Sequence, residues 1–472
     1  MKKYSNKILF AGLLMAVLVS CKISKDITMP QDAFPEKYRT EAISIDKTNI
    51  ADMDWELFFV NEDISKLIEK ALAKNNDLLI AQKNIEIAQL RFIQTKWNNI
   101  PEANLSINGS TSNPSDNSFM GMNLNQALGQ KHIEDFSVAV NLSWELDIWK
   151  KINNQKREAL AYFQQSDEVK NAVQTNIIAN VSKGYYNLLM LDAQLKIAKR
   201  NLQLSDSTTR IIKLKYDAGQ VSSLAIQQAE VLKMGAEQLV PQLQQNIAIQ
   251  ENALSMLTGE FPNQQSRTIE LNDVQLKKIT NIGVPSSLLS RRPDVRQAEL
   301  ALLASNAKVG ISKADMYPTL RITAQGGLNS FQTSSWFNIP ASLFGTLAGG
   351  ITQPLLNGKR LKTQYNISLI EREKAVINFR QTALLAVGEV SDALVKVEKL
   401  VEQESLLRNR VSTLQEAIHN ANLLFTHGMA EYLEVLAAQT NLLQSELELA
   451  NLKREQLSAY TDLYRTLGGG WK

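Results

Sequence analysis

Residues that could support catalysis or hold a metal are scarce in this chain of 472 residues. The three histidines, His132, His419 and His427, form no metal-ligand spacing with one another or with a cysteine. No glycine-rich phosphate loop and no nucleophile motif follows a predicted strand. Carboxylates are scattered over predicted helix faces, where a solvated surface charge is the ordinary interpretation. The sequence therefore predicts neither an enzyme nor a resident metal or cofactor.

Cys21 has the clearest chemistry, because it is the only cysteine and it follows a secretion-type leader. Three lysines precede an apolar run at positions 8–19, which is too short to span a bilayer. The run ends in Leu18-Val19-Ser20-Cys21, which resembles a bacterial lipobox. We therefore predict a signal peptide over residues 1–20 and a diacylglyceryl and N-acyl modification of Cys21. The alternative is an ordinary signal peptide with a chance cysteine.

The balance of charge gives no indication of a nucleic-acid partner. The chain has 51 basic and 48 acidic residues, and the three lysines of the leader account for the difference. After the leader, no stretch reaches the roughly 18 apolar residues that a membrane helix needs. A lipoprotein of this kind is either only anchored to a membrane or crosses it with β-strands.

The chain contains two copies of one unit. Asp77 and Asp294, near the starts of two helical stretches, are separated by 217 residues, as are Pro101 and Pro318 at their ends. Further along the chain the spacing becomes 209, in the pairs Val181/Val390, Leu214/Leu423, Gly219/Gly428 and Leu224/Leu433. Because the change is confined to one stretch of each copy, it marks a surface loop.

Each copy contains two stretches with the period-two alternation of β-strands. In the clearest one, residues 136–146, apolar residues alternate with polar ones. A soluble β-sandwich would show the same alternation, so the strands alone leave both alternatives open. The lipobox and four aromatic residues favour a membrane barrel; these residues are Trp144, Trp149, Trp336 and Phe337.

Four strands of about ten residues cannot close a barrel, and lipid does not tolerate open sheet edges. Closure therefore requires several subunits, and three copies would supply roughly twelve strands, an even number within the known range. The loops between the strands, residues 113–134 and 329–342, are polar and are predicted to be extracellular.

The sequence of each copy also predicts one very long helix, followed by a second helix that returns alongside it. Residues 152–216 contain no proline, and a helix of roughly 65 residues extends about 100 Å. Apolar residues at heptad spacing predict antiparallel coiled coils. They are Leu407, Val411, Leu414, Ile418, Ala421 and Phe425 on the second long helix, and Leu433, Leu436, Thr440, Leu443, Leu447 and Ala450 on its returning helix. Pro241 is expected to break the returning helix of the first copy.

The predicted fold class is mainly α with a membrane β-barrel, and the chain divides into five parts. They are the signal peptide (1–20), a lipidated irregular segment (21–60), a first repeat (61–259), a linker (260–285) and a second repeat (286–472). The first repeat has strands at about 102–112 and 135–147, a long helix 152–217 and a returning helix 222–258. The second has strands at about 319–328 and 343–355, a long helix 361–426 and a returning helix 431–466.

Several stretches resemble the TolC-like outer membrane factor family, and particularly its drug-efflux lipoproteins. The stretch 288–295, which contains Arg292-Pro293-Asp294, is similar to the most recognisable part of that family. Residues 143–147 and 352–355 resemble the family's strand ends, and residues 467–471 resemble its C-terminus. The resemblance covers nearly the whole chain from Cys21 onward, with the motifs in the family's order.

The resemblance implies a homotrimer in the Gram-negative outer membrane, with a twelve-stranded barrel above a helical tunnel in the periplasm. The implied function is that of a passive duct for drugs or other small molecules. Its partners would be a periplasmic adaptor and an inner-membrane pump, most often of the resistance-nodulation-division type. A type I protein-secretion duct shares this fold and stays an alternative. A structural coiled-coil lipoprotein would not explain the matched strands.

The resemblance also assigns contacts to the tips between the long and returning helices. Gly219 and Gly428 lie at these tips, which by resemblance meet the adaptor together with the neighbouring residues Tyr216, Asp217, Ala218, His427 and Met429. The need for a tight turn is an alternative explanation of both glycines. Arg292, Pro293 and Asp294 are better explained as a structural motif at a helix start.

A gate is the last expectation from the resemblance. Matching the family's acidic motif onto residues 428–434 places Glu434 at the narrowest part of the tunnel. Neither Ala437, one turn further on, nor Ala225, the equivalent in the first copy, is acidic. The gate would then be a ring of three Glu434 carboxylates, which attracts cations. The alternative is a solvent-facing glutamate on a coiled coil.

Overall fold

A computed structural model of the protein describes residues 25–30, 33–38, 50–129, 131–275 and 284–471. Cys21 and the predicted signal peptide lie outside these residues, as do parts of the N-terminal segment and of the linker. The described residues form two compact units that alternate along the chain. Among the described residues, the first unit consists of those within 25–29, 86–164 and 300–377, and the second of those within 30–85, 165–299 and 378–471.

A four-stranded sheet lies in the first unit, and all its neighbouring strands are antiparallel. In spatial order the strands are β1 (Glu102–Ser112), β2 (Ile133–Leu146), β3 (Thr319–Ser330) and β4 (Leu343–Thr352). The register places Leu105 opposite Val140 and Trp144 opposite Ile322. Because side chains alternate between the two faces, the apolar residues of the four strands share one face.

This apolar face is exposed to solvent in the single chain. Leu347 and Ile351 expose 79 % and 74 % of their surface. A soluble sandwich would cover such a face with a second sheet, whereas the described residues contain one sheet. The four described strands therefore do not form a sandwich within one chain.

The loop between β1 and β2 contains a helix that the sequence analysis did not anticipate, α4 (Phe119–Leu128). The Ser118 hydroxyl accepts a hydrogen bond from the Gly121 N–H (3.1 Å), which satisfies one free donor of the first turn. Ten residues are too few to show a helical period clearly, so this stretch had the pattern of a loop.

The remaining helices are α1 (Trp55–Phe58), α2 (Glu62–Lys74), α3 (Asn76–Trp97), α5 (Lys151–Asp217), α6 (Ser223–Leu257), α7 (Leu288–Arg291), α8 (Pro293–Ala314), α9 (Arg360–Thr426) and α10 (Tyr432–Thr466). We call α5 and α6 the first hairpin, and α9 and α10 the second hairpin. The helices α5 and α9 both have 67 residues, and α6 and α10 both have 35. The prediction of a mainly helical chain with four strands is confirmed.

None of the described helices combines the length and the apolar composition that a bilayer-spanning helix requires.

The prediction that Pro241 breaks the returning helix was wrong, because α6 continues through Pro241 to Leu257. Proline lacks an N–H and frees the carbonyl four residues earlier. That carbonyl belongs to Glu237, and both residues are exposed. Water can therefore satisfy the freed carbonyl, so the proline is tolerated.

The predicted coiled-coil seam is accurate on α9 and less accurate on α10. Leu407, Val411, Ile418 and Phe425 are buried, as expected for α9. On α10, Leu433 exposes 47 % of its surface and Thr440 is exposed. The buried positions of α10 instead include Gln439, Ser445 and Glu446. A search for apolar residues at heptad spacing does not detect a helix seam that contains buried polar residues.

Two equivalent junctions tie the hairpin ends to the preceding helices. In the first, the Asn75 Nδ2 donates to the carbonyl of Leu257, the last residue of α6 (2.9 Å). In the second, the Arg292 Nη1 donates to the carbonyl of Thr466, the last residue of α10 (3.2 Å). Asn75 and Arg292 are separated by 217 residues, and the two carbonyls by 209. The two halves thus end their hairpins with the same arrangement.

At the start of α8, the buried Arg292 also forms ion pairs with two partly exposed carboxylates. Its guanidinium contacts Asp294 (2.6 Å) and Glu389 (2.9 Å). Burial alone would raise the pKa of Asp294, but the hydrogen bond and charge of Arg292 outweigh burial and lower that pKa. Pro293 is the first residue of α8, where its missing N–H is not needed.

A buried carboxylate fixes the described part of the linker to the second unit. Asp63 accepts hydrogen bonds from the Tyr185 hydroxyl (2.9 Å), the Thr268 N–H (2.8 Å) and the Thr268 hydroxyl (2.7 Å). Burial alone would raise the pKa of Asp63, but the hydrogen bonds from Thr268 lower it. A lowered folded-state pKa stabilises the fold above the ordinary carboxyl pKa, and this stability is lost as the pH falls through the folded-state pKa.

We expect Gly468→Ala to lower thermal stability much more than Gly428→Ala. Both glycines have a positive φ, 93° and 75°, so alanine strains the backbone by about 1 kcal/mol at either position. A Cβ at Gly468 would also lie 2.6 Å from the Arg291 carbonyl oxygen, whereas nothing lies within 4 Å at Gly428. This overlap should cost about 2 kcal/mol more. Equal unfolding midpoints of the two variants in detergent would contradict the close approach at Gly468.

Candidate functional site

The tips of the two hairpins close with the same turn. In each tip the glycine N–H donates to the carbonyl three residues earlier, and the next N–H donates to the carbonyl five residues earlier. This Schellman arrangement needs a residue with positive φ, and φ is 71° at Gly219 and 75° at Gly428. The turn alone therefore explains both glycines, and contact with another protein is not needed to explain them.

The side chains around both turns are exposed. The exposed residues include the five predicted tip residues that are not glycine, namely Tyr216, Asp217, Ala218, His427 and Met429. Four leucines at equivalent positions of the two tips are exposed as well, namely Leu214, Leu423, Leu224 and Leu433. Exposed apolar side chains concentrated at one place commonly mark a protein contact. Between the tips lies an open polar depression, lined by residues that include Lys215, Gln220, Ser222, His427 and Glu431.

An apolar cluster joins the two tips within one chain. Its buried members are Ile212, Ala225 and Ala229 from the first hairpin and Phe425, Val435 and Leu436 from the second. Burial of such side chains stabilises the contact by roughly 1.5–3 kcal/mol for each large residue. The two tips of one chain are therefore packed firmly against each other.

Lys215 adds a polar bridge to this contact that the sequence analysis missed. Its Nζ donates to the Phe425 carbonyl (2.8 Å) and lies 4.5 Å from the centre of the Phe425 ring. The carbonyl belongs to the last turn of α9 and also accepts from the Gly428 N–H (3.2 Å), and a positive charge is favourable at this end of a helix. The repeat gave no signal for this role, because the second-copy equivalent of Lys215 is Leu424.

Ala225 and Glu434 occupy equivalent positions but have opposite environments. Ala225 is fully buried in the cluster between the tips. Glu434 is exposed in the first turn of α10, where the helix dipole favours a negative charge. Ala437, one turn further on, is exposed too. In a single chain Glu434 is thus a solvent-facing glutamate, and an acidic ring requires other copies of the chain.

A polar layer lies between α5 and α10, farther along the hairpins from the tips. The buried Gln439 amide donates to the Thr208 hydroxyl (2.5 Å). Arg200 pairs with the buried Glu446, which also accepts a hydrogen bond from Gln415 (3.2 Å). Buried polar pairs can specify the register between helices. The apolar heptad pattern gave no signal for these residues.

The three histidines do not come together in a site. His132, His419 and His427 are all exposed. Within the described part of the chain, no group of three or more His, Cys, Asp or Glu side chains is placed to hold a metal ion.

Comparison with known proteins links the fold and the tips to one class of proteins. A family model described as outer membrane efflux protein matches residues 67–260 and again residues 284–469. The two matched segments begin 217 residues apart and end 209 residues apart, the same two spacings that relate the repeats.

Individual relatives cover nearly the whole chain. The cation efflux system protein CusC of Escherichia coli O6:H1 is 27 % identical over 458 residues, 96 % of this chain and 97 % of CusC. The toluene efflux pump outer membrane protein TtgC of Pseudomonas putida is 27 % identical over 89 % of this chain and 86 % of TtgC. The probable outer membrane lipoprotein SilC of Salmonella typhimurium is 25 % identical over 96 % of this chain and 97 % of SilC. A crystal structure of CusC superimposes with a TM-score of 0.84 at 27 % identity, over 95 % of this chain and all of that chain.

The opposite environments of Ala225 and Glu434 lead to a matched pair of variants. We expect Ala225→Glu to destabilise the tips by about 3 kcal/mol, because it places an unpaired charge in an apolar cluster. We expect Glu434→Ala to change stability by less than about 0.5 kcal/mol. Amide hydrogen exchange at the two tips would measure both effects. Similar protection in the two variants would show that the cluster does not hold the tips together.

Proposed function

The chain belongs to the outer membrane efflux protein family, and we propose that it is the outer-membrane channel of a tripartite efflux pump. The family resemblance identified in the sequence is confirmed by the match over both halves of the chain. The members of this family are efflux channels rather than enzymes, which supports the proposal. In the proposed role, the protein is a passive duct for small molecules, and an inner-membrane pump supplies the energy.

The observation that carries this proposal is the internal duplication. The family model matches twice at the two repeat spacings, and the paired helices have equal lengths of 67 and 35 residues. The junctions at Asn75 and Arg292 repeat the same contact. Because of the duplication, each subunit has two similar helical hairpins. Similar hairpins from several chains could stand side by side and form the wall of a tunnel.

We propose that three copies assemble into a channel. In the described part of the chain, β1 and β4 each pair on one side only, and the apolar face of the sheet is exposed. Pairing β1 of one copy with β4 of the next would satisfy these edges and close a sheet of about twelve strands. Arg292, Pro293 and Asp294 would then have a structural role, since their contacts hold the helix junction.

We also propose a lipid anchor at Cys21 in the outer membrane, with the hairpins in the periplasm. The leader and lipobox support this location. The relative SilC bears the description of a probable outer membrane lipoprotein. Two or more acyl chains hold a protein firmly on a membrane, whereas one chain holds it weakly.

The partners would be a periplasmic adaptor protein and an inner-membrane pump, and the sequence resemblance implies that the pump is of the resistance-nodulation-division type. The matched exposed leucines at both tips offer the adaptor an apolar contact. The relatives are described as cation and toluene efflux proteins at the same 27 % identity. In the proposed pump, the inner-membrane component selects the substrate and the duct conducts it.

A protein-secretion duct of the type I class is the second candidate function, because it shares the fold. The lipobox and the Arg292-Pro293-Asp294 stretch favour efflux. Genes for an adaptor and a resistance-nodulation-division pump beside this gene would support efflux, whereas a gene for an ATP-driven peptide exporter would support secretion.

We expect purified protein to form cation-selective pores in planar bilayers, and Glu434→Gln to reduce the selectivity and weaken block by divalent cations. Three symmetry-related carboxylates would attract cations, and the amide removes that charge without changing the shape. Mass measurement of the detergent-solubilised protein should give three subunits for both proteins. Wild-type selectivity and block in an intact Glu434→Gln trimer would exclude Glu434 as the gate. Absence of any conductance from the wild-type trimer would count against the duct itself.

We expect Cys21→Ser to abolish incorporation of radiolabelled palmitate into the mature protein, because the thiol is the acceptor of the diacylglyceryl group. Labelling followed by electrophoresis of the isolated outer membrane measures this. The matched control is Ser20→Ala, which keeps a small residue before the cysteine and should keep the label. Label on the Cys21→Ser protein would refute the lipobox assignment.

A further inference from the structure

The segment that follows Cys21 is bound by three helices of the first unit. Residues 25–29 belong to this unit, and Lys25, Asp26 and Ile27 contact parts of α9, α5 and α8, respectively. Its central contact is a pair of hydrogen bonds between the backbone of Ile27 and the side chain of Asn306. The Ile27 N–H donates to the Asn306 Oδ1 (3.1 Å), and the Asn306 Nδ2 donates to the Ile27 carbonyl (2.9 Å).

Asn306 has no other evident reason to be polar. It lies in the interior of α8 and is 2 % exposed, among residues such as Leu302 and Val309 that are buried and apolar. An unpaired buried amide is costly, and the backbone of Ile27 satisfies both its donor and its acceptor. Asparagine at this position is therefore matched to an extended peptide backbone.

Two arginines bind the residues before Ile27. The Arg157 Nη2 contacts the Asp26 carboxylate (2.9 Å), and the Arg372 Nη1 donates to the Lys25 carbonyl (2.9 Å). The first is a partly exposed ion pair and contributes little alone. Together with Asn306, the two arginines contact three consecutive residues, Lys25, Asp26 and Ile27.

The first repeat lacks the equivalent site. Gln89 lies 217 residues before Asn306 and is exposed on α3. The polar interior position is thus a feature of the second copy alone, where the N-terminal segment is bound. The duplicated fold does not require it.

We propose that Asn306, Arg157 and Arg372 form a docking site for the peptide that directly follows Cys21, and that this site fixes where the lipid anchor lies relative to the first unit. The part about the anchor rests on the proposed lipidation. Cys21 precedes Lys25 by four residues, and four residues reach at most about 14 Å. A docked Lys25 therefore confines the acyl chains to a small area beside α5, α8 and α9.

Hydrogen exchange of the full-length protein in detergent tests the docking. Asn306→Leu keeps the branched shape of the side chain and favours the helix but removes both hydrogen bonds, so the Ile27 amide should exchange roughly tenfold faster. Gln89→Ala is the matched control and should leave the exchange unchanged. Asn306→Ala serves as a second variant if leucine disturbs the folding of α8. Equal exchange at Ile27 in the wild type and in a folded Asn306 variant would overturn the docking site.

The link to the anchor is tested with palmitate-labelled protein and endoproteinase Asp-N. Asp26 is the first aspartate after Cys21, so cleavage before it releases the labelled anchor. Release should be roughly tenfold faster from Asn306→Leu than from the wild type, and unchanged in Gln89→Ala. Equal release would overturn the positioning of the anchor. Absence of label from the wild type would instead refute the proposed lipidation, while the exchange measured in Cys21→Ser would still decide the docking.

Discussion

Unmade backbone hydrogen bonds at the two edges of the sheet are the constraint on which the proposed assembly depends. Among the described residues, β1 and β4 each pair with one neighbour, and the face they share with β2 and β3 is apolar and exposed. Water could form hydrogen bonds with the backbone groups of the edges, but the exposure of the apolar face to water is unfavourable. Lipid could cover the apolar face, but it offers no hydrogen bonds to the edges. Pairing between copies resolves both conflicts at once. The need for an oligomer in the proposed channel thus follows from the backbone hydrogen bonds of the sheet, and no particular side-chain contact has to be assumed.

The duplication supplies the framework, and the departures from it supply the candidate functional features. The two copies share helix lengths, tip turns and hairpin junctions. They differ at positions where the two copies have different local environments, among them Ala225 against Glu434, Lys215 against Leu424, and Gln89 against Asn306. Since equal backbones surround the paired positions, each difference reports a local requirement rather than a property of the fold.

Patterns that one segment carries by itself could be predicted from the sequence. The alternation in β2 and the glycines at the tips depend on local backbone geometry, and both were recognised. Features that depend on a distant partner could not be predicted. The bridge from Lys215 to Phe425 joins residues 210 positions apart, and the polar members of the α10 seam are explained only by partners on other helices, such as Thr208. Pro241 was misjudged because its cost depends on exposure, which the sequence does not give.

The contacts at the tips also constrain how the proposed gate can open. Separating the two tips of one chain would expose the cluster around Phe425 and break the Lys215 bridge, and each large apolar side chain contributes roughly 1.5–3 kcal/mol when buried. In the proposed ring, the Glu434 carboxylates of three chains repel one another, and this repulsion favours separation of the chains. The repulsion acts on the contact between chains and leaves the cluster within each chain unaffected. Opening between neighbouring chains, with the two tips of each chain moving together, preserves the cluster and relieves the repulsion.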